Sequence, residues 1–219
     1  MLANNDLAKL YTKEKESDWI NYGILLLFSF NLRKEIPYVR ENISAEIHFI
    51  TDESSDTKEI LMNGCNQNSD IFEDRLRKGD ICCAACFREE IASYCWVASS
   101  EAYIGEIGKK IRLKNNEIYL YDAFTKPELR GNNLFPKILT AILCYGRQEG
   151  YQTVLTFVLS SNNPSVTAIK KSGFDRFQSV YFVDIYSKTF CRFSKAKDVE
   201  LAIGERLVPP LDVQLPVKM

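Results

Sequence analysis

The polar stretch "PELRGNNLFPK", residues 127–137, has the residue types of an anion-binding turn at the start of a helix. A strand-like run, "EIYLYDAFT", precedes it, and apolar residues at helical spacing follow it. The first amides of a helix lack internal partners, and the helix dipole favours negative charge there. Gly131 allows close backbone approach, Asn132 and Asn133 tolerate left-handed conformations, and Arg130 can add a charge-assisted contact. An ordinary loop with a polar tip is the alternative.

Two well-known phosphate motifs fail on this stretch. A P-loop counted from Gly131 requires glycine at Pro136 and serine or threonine at Ile138. A dinucleotide fingerprint requires glycine at both Asn133 and Pro136. A nucleoside triphosphate or a dinucleotide bound in either of these ways is therefore excluded.

A second motif lies downstream, in "LSSNNPSVTAIKKSGF". The pair Asn163-Pro164 predicts a helix start after the buried strand "TVLTFVLS", and Gly173 predicts the helix end. Together the two motifs resemble the acyl-CoA loop and the following helix of the GNAT superfamily of acetyltransferases. The matching positions are Pro127, Glu128, Arg130 and Gly131 in the first motif and Asn162, Ser165, Lys171, Gly173 and Phe174 in the second.

The resemblance covers roughly residues 45–190 and implies how acetyl-CoA or a related acyl-CoA would bind as co-substrate. The amides of residues 132–135 would cradle the pyrophosphate, and the end of the preceding strand would pair with the pantetheine arm. In the family this strand separates from its neighbour and leaves a slot, and Asn162 would line its other wall. The implied cofactor-binding residues are Phe124, Thr125, Arg130, Gly131, Asn132, Asn133, Leu134, Phe135, Asn162 and Ser165. No metal is implied.

The implied reaction is direct attack of an amine on the thioester in a ternary complex. Asp122 is the first candidate for the general base and Glu117 the second. Ile169 stands where many family members have a tyrosine that protonates the leaving thiolate, and nothing selects Tyr181 or Tyr186 as a substitute. The alternative is a non-catalytic acyl-CoA-binding or partner-binding module on the same fold.

Composition restricts the classes of partner and compartment. The 219 residues carry a formal net charge of −1, so no overall field attracts nucleic acid or an anionic membrane. The longest apolar run, residues 24–28, is far shorter than the ~20 residues that span a bilayer. The N-terminus lacks a signal-peptide pattern, which favours a cytoplasmic protein. A small-molecule amine is favoured over a protein as acceptor, and a homodimer is left open.

Cysteine and histidine chemistry is not favoured. The seven cysteines lie mostly in apolar stretches, as reduced buried thiols do. Cys83 and Cys86 form a Cys-x-x-Cys pair, but they lie in a strand-like run with no second pair and no nearby histidine. The single histidine, His48, alternates with apolar neighbours in "AEIHFIT". A catalytic triad is therefore disfavoured.

The order of elements predicts the fold class. A strand, "AEIHFIT", is followed by helices in "SSDTKEILMNGCNQ" and "IFEDRLRKGD", and then by a hairpin from "ICCAACF" and "IASYCWVAS". Strand, helix, strand, helix and closing strands complete an α/β (α+β) chain with a GNAT-like mixed, largely antiparallel sheet. We expect an N-terminal extension packed on the core at 1–43, an acyltransferase domain at 44–195, and a C-terminal arm at 196–219.

Overall fold

The computed structural model describes residues 20–51, 69–186 and 188–208. Its main sheet has eight strands: β1 (Ile20–Asn31), β2 (Glu46–Ile50), β3 (Ile81–Phe87), β4 (Glu90–Ala98), β7 (Glu117–Thr125), β8 (Thr153–Leu159), β9 (Asp175–Ile185) and β10 (Lys188–Phe193). A smaller sheet contains β5 (Glu101–Ile104), β6 (Lys109–Arg112) and β11 (Leu207–Val208). The helices of this part of the chain are α1 (Ser69–Arg77), α2 (Leu134–Gln148) and α3 (Asn163–Lys171), with single 3-10 turns at Pro127–Leu129, Val199–Leu201 and Gly204–Arg206.

The main sheet runs in the order β10-β9-β1-β8-β7-β4-β3-β2. Every neighbouring pair is antiparallel except β7 and β8, which are parallel. Helices α2 and α3 cover one face, where Phe28, Ile138 and Val154 join the main apolar cluster. The opposite face is covered by the β5–β6 hairpin and by α1. The predicted mixed, largely antiparallel sheet flanked by helices is confirmed.

Local sequence signals place most element boundaries. Helix α2 buries Leu134, Ile138 and Ile142 at helical spacing, and Gly150 follows its end with a φ of 83°. Strand β7 ends at Thr125, before Lys126 and Pro127, as the proline predicts. The expected helix in "SSDTKEILMNGCNQ" lies outside the described residues.

The two ends of the described chain differ from the expected extension and arm. Residues 20–31 form a strand inside the sheet, and Leu25 pairs with Leu159 on one side and with Val180 on the other. At the other end, Leu207 pairs with Ile111, and Ile203 is fully buried. Both segments therefore belong to the folded core. The first contributes an inner strand of the main sheet, and the second contributes a short strand and a buried apolar side chain.

Candidate functional site

The parallel strands β7 and β8 separate before either of them ends. Their pairing runs from Glu117 with Thr153 to Leu120 with Thr156 and stops there. Strand β7 continues to Thr125 beside β4 alone. Its course changes at a bulge, because three residue steps from Tyr121 to Phe124 match two steps on β4. The separation leaves a gap at the carboxyl ends of two parallel strands, a usual place for a ligand in such sheets. We call this gap the slot.

A cleft of about 690 Å³ opens at the slot on the face covered by α2 and α3. Its walls come from the end of β7, the loop before α2, the first turn of α2 and the exposed side of α3. The lining residues are Ala123, Phe124, Thr125, Leu129, Arg130, Gly131, Asn133, Leu134, Phe135, Pro136, Asn162, Asn163, Pro164, Ser165, Thr167, Ala168 and Lys171.

Asn42 binds two carbonyl groups of the loop before α2. Gly131 and Asn133 adopt left-handed conformations, with φ values of 82° and 59°. The backbone N–H of Asn42 donates to the Asn132 carbonyl at 3.1 Å, and its side-chain amide donates to the Gly131 carbonyl at 3.2 Å. The segment that follows β1 thus binds the loop through its carbonyl groups.

The same loop leaves a run of amides without acceptors. Among the described residues, no acceptor is bound by the backbone N–H groups of the five residues from Gly131 to Phe135. Pro136 follows them and has no N–H. Buried or partly buried amides normally find partners. Five successive donors at a helix N-terminus beside an open cleft have the arrangement of an anion-binding site.

Lys171 supplies a positive charge from the opposite wall. Its Nζ donates to Oδ1 of Asn133 at 3.0 Å, and Nδ2 of the same asparagine donates to the Arg40 carbonyl at 2.9 Å. Sequence reasoning used Lys171 only as part of the second motif and did not place it in the site. The helical spacing of Pro164, Ala168 and Lys171 is the signal that could have placed it on the cleft side.

Nine of the ten residues implied as cofactor-binding line the cleft, and Asn132 is the exception. The side-chain amide of Asn132 instead donates to the Leu129 carbonyl at 3.1 Å. Arg130 lines the cleft, but its Nε donates back to the Thr125 carbonyl at 3.1 Å. The cap of α3 is Asn162, whose Oδ1 accepts from the amide of Ser165 at 3.2 Å, one residue before the predicted cap at Asn163.

Neither candidate base faces this cleft. Asp122 sits at the bulge, with its Oδ2 2.5 Å from Nη1 of the buried Arg75. Glu117 lies at the opposite end of β7, where it is 2% exposed and paired with Arg206. The structure therefore places these two carboxylates in ion pairs away from the cleft.

A third carboxylate lies on the face covered by the β5–β6 hairpin, opposite the cleft, and near enough to Asp122 at the bulge to be affected by its charge. Glu106 is in the turn of this hairpin, and its pKa is raised, mainly by burial of the carboxyl and further by the charge of Asp122. Burial also raises the pKa of Tyr119 well above its ordinary value, with Glu106 adding to the effect. The residue keeps an exposed surface, so solvent still reaches it. Sequence reasoning missed Glu106 because no local motif marks it.

The expected leaving-group acid is absent at its aligned position. Ile169 is 2% exposed and packs in the main apolar cluster. Tyr181 and Tyr186 are exposed and do not line the cleft.

The described residues hold no group of three or more His, Cys, Asp or Glu that could bind a metal ion. Within the same residues, no helix combines the length and hydrophobicity needed to cross a membrane.

Comparison with known proteins identifies the fold. No family model and no curated protein matches the sequence. A GCN5-related N-acetyltransferase from Sphaerobacter thermophilus matches the structure with a TM-score of 0.52 and 10% identity, over 77% of this chain and 56% of that one. A GNAT-family acetyltransferase from Colwellia psychrerythraea matches with a TM-score of 0.50 and 13% identity, over 75% and 55%. The chain spans just over half the length of each. It has the fold of the GNAT acetyltransferases.

Proposed function

We propose that this protein is an N-acyltransferase that moves an acetyl or other acyl group from acyl-CoA to a small-molecule amine. The observation that carries the proposal is the run of five amides from Gly131 to Phe135, without acceptors among the described residues, beside a cleft of about 690 Å³. The acetyltransferases that share the fold support the same class of reaction.

The residues of the cleft fit acyl-CoA in charge and shape. The amides of the loop and Nζ of Lys171 would bind the pyrophosphate, because both present donors at the positive end of α2. Beyond Leu120, β7 has no neighbouring strand on the β8 side, so the backbone groups on that side that lack a partner are available to the amide-rich pantetheine arm. Phe124 and Thr125 lie in this part of the strand and line the cleft. When bound, acyl-CoA would supply an activated thioester at the slot.

The acceptor would approach from the opposite face of the sheet, where Glu106 lies. A carboxylate with a raised pKa accepts a proton more readily than an unperturbed one, which suits it to take a proton from an ammonium. The amine nitrogen would then attack the thioester carbonyl, the C–N bond would form, and the C–S bond would break to release the CoA thiolate. Ile169 provides no proton at the position used by many family members, so the thiolate would take its proton from solvent or from the acceptor side.

Titration calorimetry with CoA and acetyl-CoA tests the binding step. Lys171→Met should weaken CoA binding by about tenfold, since a hydrogen bond to a charged group contributes roughly 1.5–3 kcal/mol. Lys170→Met is the matched control, because this lysine is exposed on the same helix and does not line the cleft. It should bind CoA within about twofold of the wild type. Absence of binding at millimolar CoA would contradict the proposal. Equal Kd values for the two variants would show that Lys171 does not bind the pyrophosphate.

The buried Ile169 also favours a second candidate function, a binding module that holds acyl-CoA without turning it over. Release of the free CoA thiol across a panel of amines separates the two functions. An acyltransferase releases one CoA thiol for each amine that is acylated. Glu106→Gln should reduce the rate of this release. Tight binding of acetyl-CoA without thiol release for any amine would favour the module.

A further inference from the structure

Arg75 is a buried arginine next to the slot. It lies near the end of α1 and is 4% exposed. Its guanidinium carbon is 5.0 Å from the ring centre of Trp96 and 5.0 Å from that of Tyr121. A buried charge is tolerated only when it is paired, and the flanking rings add cation–π attraction. Asp122 pairs with this charge, and its Oδ2 lies 2.5 Å from Nη1 of Arg75.

Asp122 has an unusual backbone conformation. Its φ is 46°, in the left-handed region that residues other than glycine rarely adopt. It occupies the bulge of β7, where one extra residue stands opposite β4. Such a conformation costs free energy and persists only where surrounding contacts hold it. Among the described residues, the ion pair with Arg75 is a contact that holds the Asp122 side chain.

A second contact connects the same two elements. The hydroxyl of Tyr121 donates to Oδ2 of Asp80 at 2.6 Å, and the backbone N–H of Asp80 donates to the Arg75 carbonyl at 3.0 Å. Two successive residues of β7 are therefore held by the end of α1 and the residues after it. We call the Arg75–Asp122 ion pair together with the Tyr121–Asp80 hydrogen bond the α1 clamp.

The clamp acts immediately before the residues that line the cleft. Pairing with β8 ends at Leu120, the clamp holds Tyr121 and Asp122, and the next three residues, Ala123, Phe124 and Thr125, form the wall. Strand β8 continues to Leu159, so its pairing with β7 would have room to extend past Thr156 if β7 kept its direction. The bulge redirects β7, and its geometry therefore decides the width of the slot.

We propose that Arg75 is a positioning residue that holds the bulge at Asp122 and thereby keeps the end of β7 in the geometry that binds the arm of acyl-CoA. The effect of Arg75 on acyl-CoA binding rests on the proposed function. The mechanical part of the proposal, that Arg75 holds the bulge, concerns only this chain and does not depend on that function. Arg75 does not line the cleft, so its effect on the cofactor passes through Asp122 and the backbone of residues 123–125.

The mechanical part is tested without any ligand, by hydrogen exchange of the amides of residues 122–125. Arg75→Met keeps the length and the apolar contact with both rings while it removes the charge. Exchange at these amides should become at least about tenfold faster, since local opening depends on local contacts. Asp122→Asn should give the same change, because asparagine tolerates the left-handed conformation and lacks the charge. This variant also serves if Arg75→Met does not fold.

The matched control is Lys78→Met, which removes an exposed ion pair with Asp74 just after α1. It should leave the exchange of residues 122–125 unchanged. Exchange that is unchanged in both Arg75→Met and Asp122→Asn, or equally faster in the control, would overturn the positioning role.

The functional part is tested with acetyl-CoA. Arg75→Met and Asp122→Asn should raise the Kd for acetyl-CoA by about tenfold, since small displacements of a positioning element have large effects. Arg75→Lys should recover part of the affinity, whereas a purely structural loss would lower the amount of folded protein and leave its Kd unchanged. If the wild type binds no CoA while the exchange results hold, the proposed function fails and the clamp remains. If the wild type binds and the variants bind equally well, the clamp does not control the site.

Discussion

At the scale of single residues, the chain departs twice from the acyl-CoA loop pattern of the family it resembles: Asn133 stands at the middle glycine of that pattern and Phe135 at its final small residue. Asn133 adopts the left-handed conformation that the glycine would supply, with a φ of 59°. Its side chain uses both ends, donating to the Arg40 carbonyl and accepting from Lys171. The substitution therefore exchanges backbone freedom for two tertiary contacts. Phe135, the other departure, lines a cleft that remains open.

The Cys83-x-x-Cys86 pair shows why spacing alone does not make a site. In the structure the two residues belong to different apolar clusters on opposite faces of the sheet. Cys83 is fully buried, and burial raises its pKa well above the ordinary value. A thiol of this kind is unreactive, because the thiolate is the nucleophile and the metal ligand. The pair therefore serves packing.

Asp80 leads to a prediction about pH. Its pKa is raised, chiefly by burial, against the opposing effects of the Tyr121 hydrogen bond and of Arg75. The folded protein therefore holds this proton to a higher pH than the unfolded chain, so the contribution of Asp80 to stability falls as pH rises above about 3.8, the ordinary value. Asp80→Asn removes this dependence. The free energy of unfolding of the variant, relative to the wild type, should increase between about pH 4 and pH 7.

Urea unfolding at several pH values measures this difference, and titrations common to both proteins cancel in it. The expected slope is positive for the variant minus the wild type. A difference that decreases as pH rises would contradict a raised pKa for Asp80 in the folded state.

At the scale of elements, helix α2 approaches the sheet closely at Gly146. A Cβ built there lies 3.0 Å from Cδ1 of Ile118 and 3.2 Å from Cδ1 of Leu32. Gly146→Ala should therefore lower the free energy of unfolding by about 1–3 kcal/mol, as overpacking does, despite the better helix propensity of alanine. Urea unfolding measures the change, with Cys144→Ala on the exposed side of α2 as control. A stabilised Gly146→Ala variant would contradict the close approach.

The elements that sequence reasoning predicted are those with local signals. The loop before α2, the cap region of α3 and the ends of β7 and α2 follow from glycine, proline and asparagine positions and from apolar spacing. The place of β1 does not follow in this way, because its partners β8 and β9 lie more than a hundred residues along the chain. Periodicity identifies a strand but not its neighbours. For the same reason, the contact between Arg75 and Asp122 and the position of Glu106 on the face opposite the cleft could not be predicted.

At the scale of the whole molecule, the chain closes on itself near the start of β7. Arg206, the last residue of the 3-10 turn Gly204–Arg206, reaches Glu117 with two guanidinium nitrogens and donates from Nε to the Arg112 carbonyl at 3.1 Å. The backbone N–H of Lys114 donates to the same carboxylate at 3.0 Å. Residues 199–208 are thereby held against β6 and β7, and the buried Ile203 completes the apolar cluster beneath the hairpin.

Loss of this connection should affect the whole fold. Side-chain exposure is 2% for Glu117 and 14% for Arg206, so Arg206→Met leaves a buried carboxylate without its counter-ion. The expected loss is about 3–5 kcal/mol in the free energy of unfolding, as for other broken buried pairs. Lys110→Met is the control, since it removes a more exposed pair with Glu101 on the neighbouring strand and should cost less than about 1 kcal/mol. Equal losses for the two variants would show that residues 199–208 do not stabilise the sheet through Glu117.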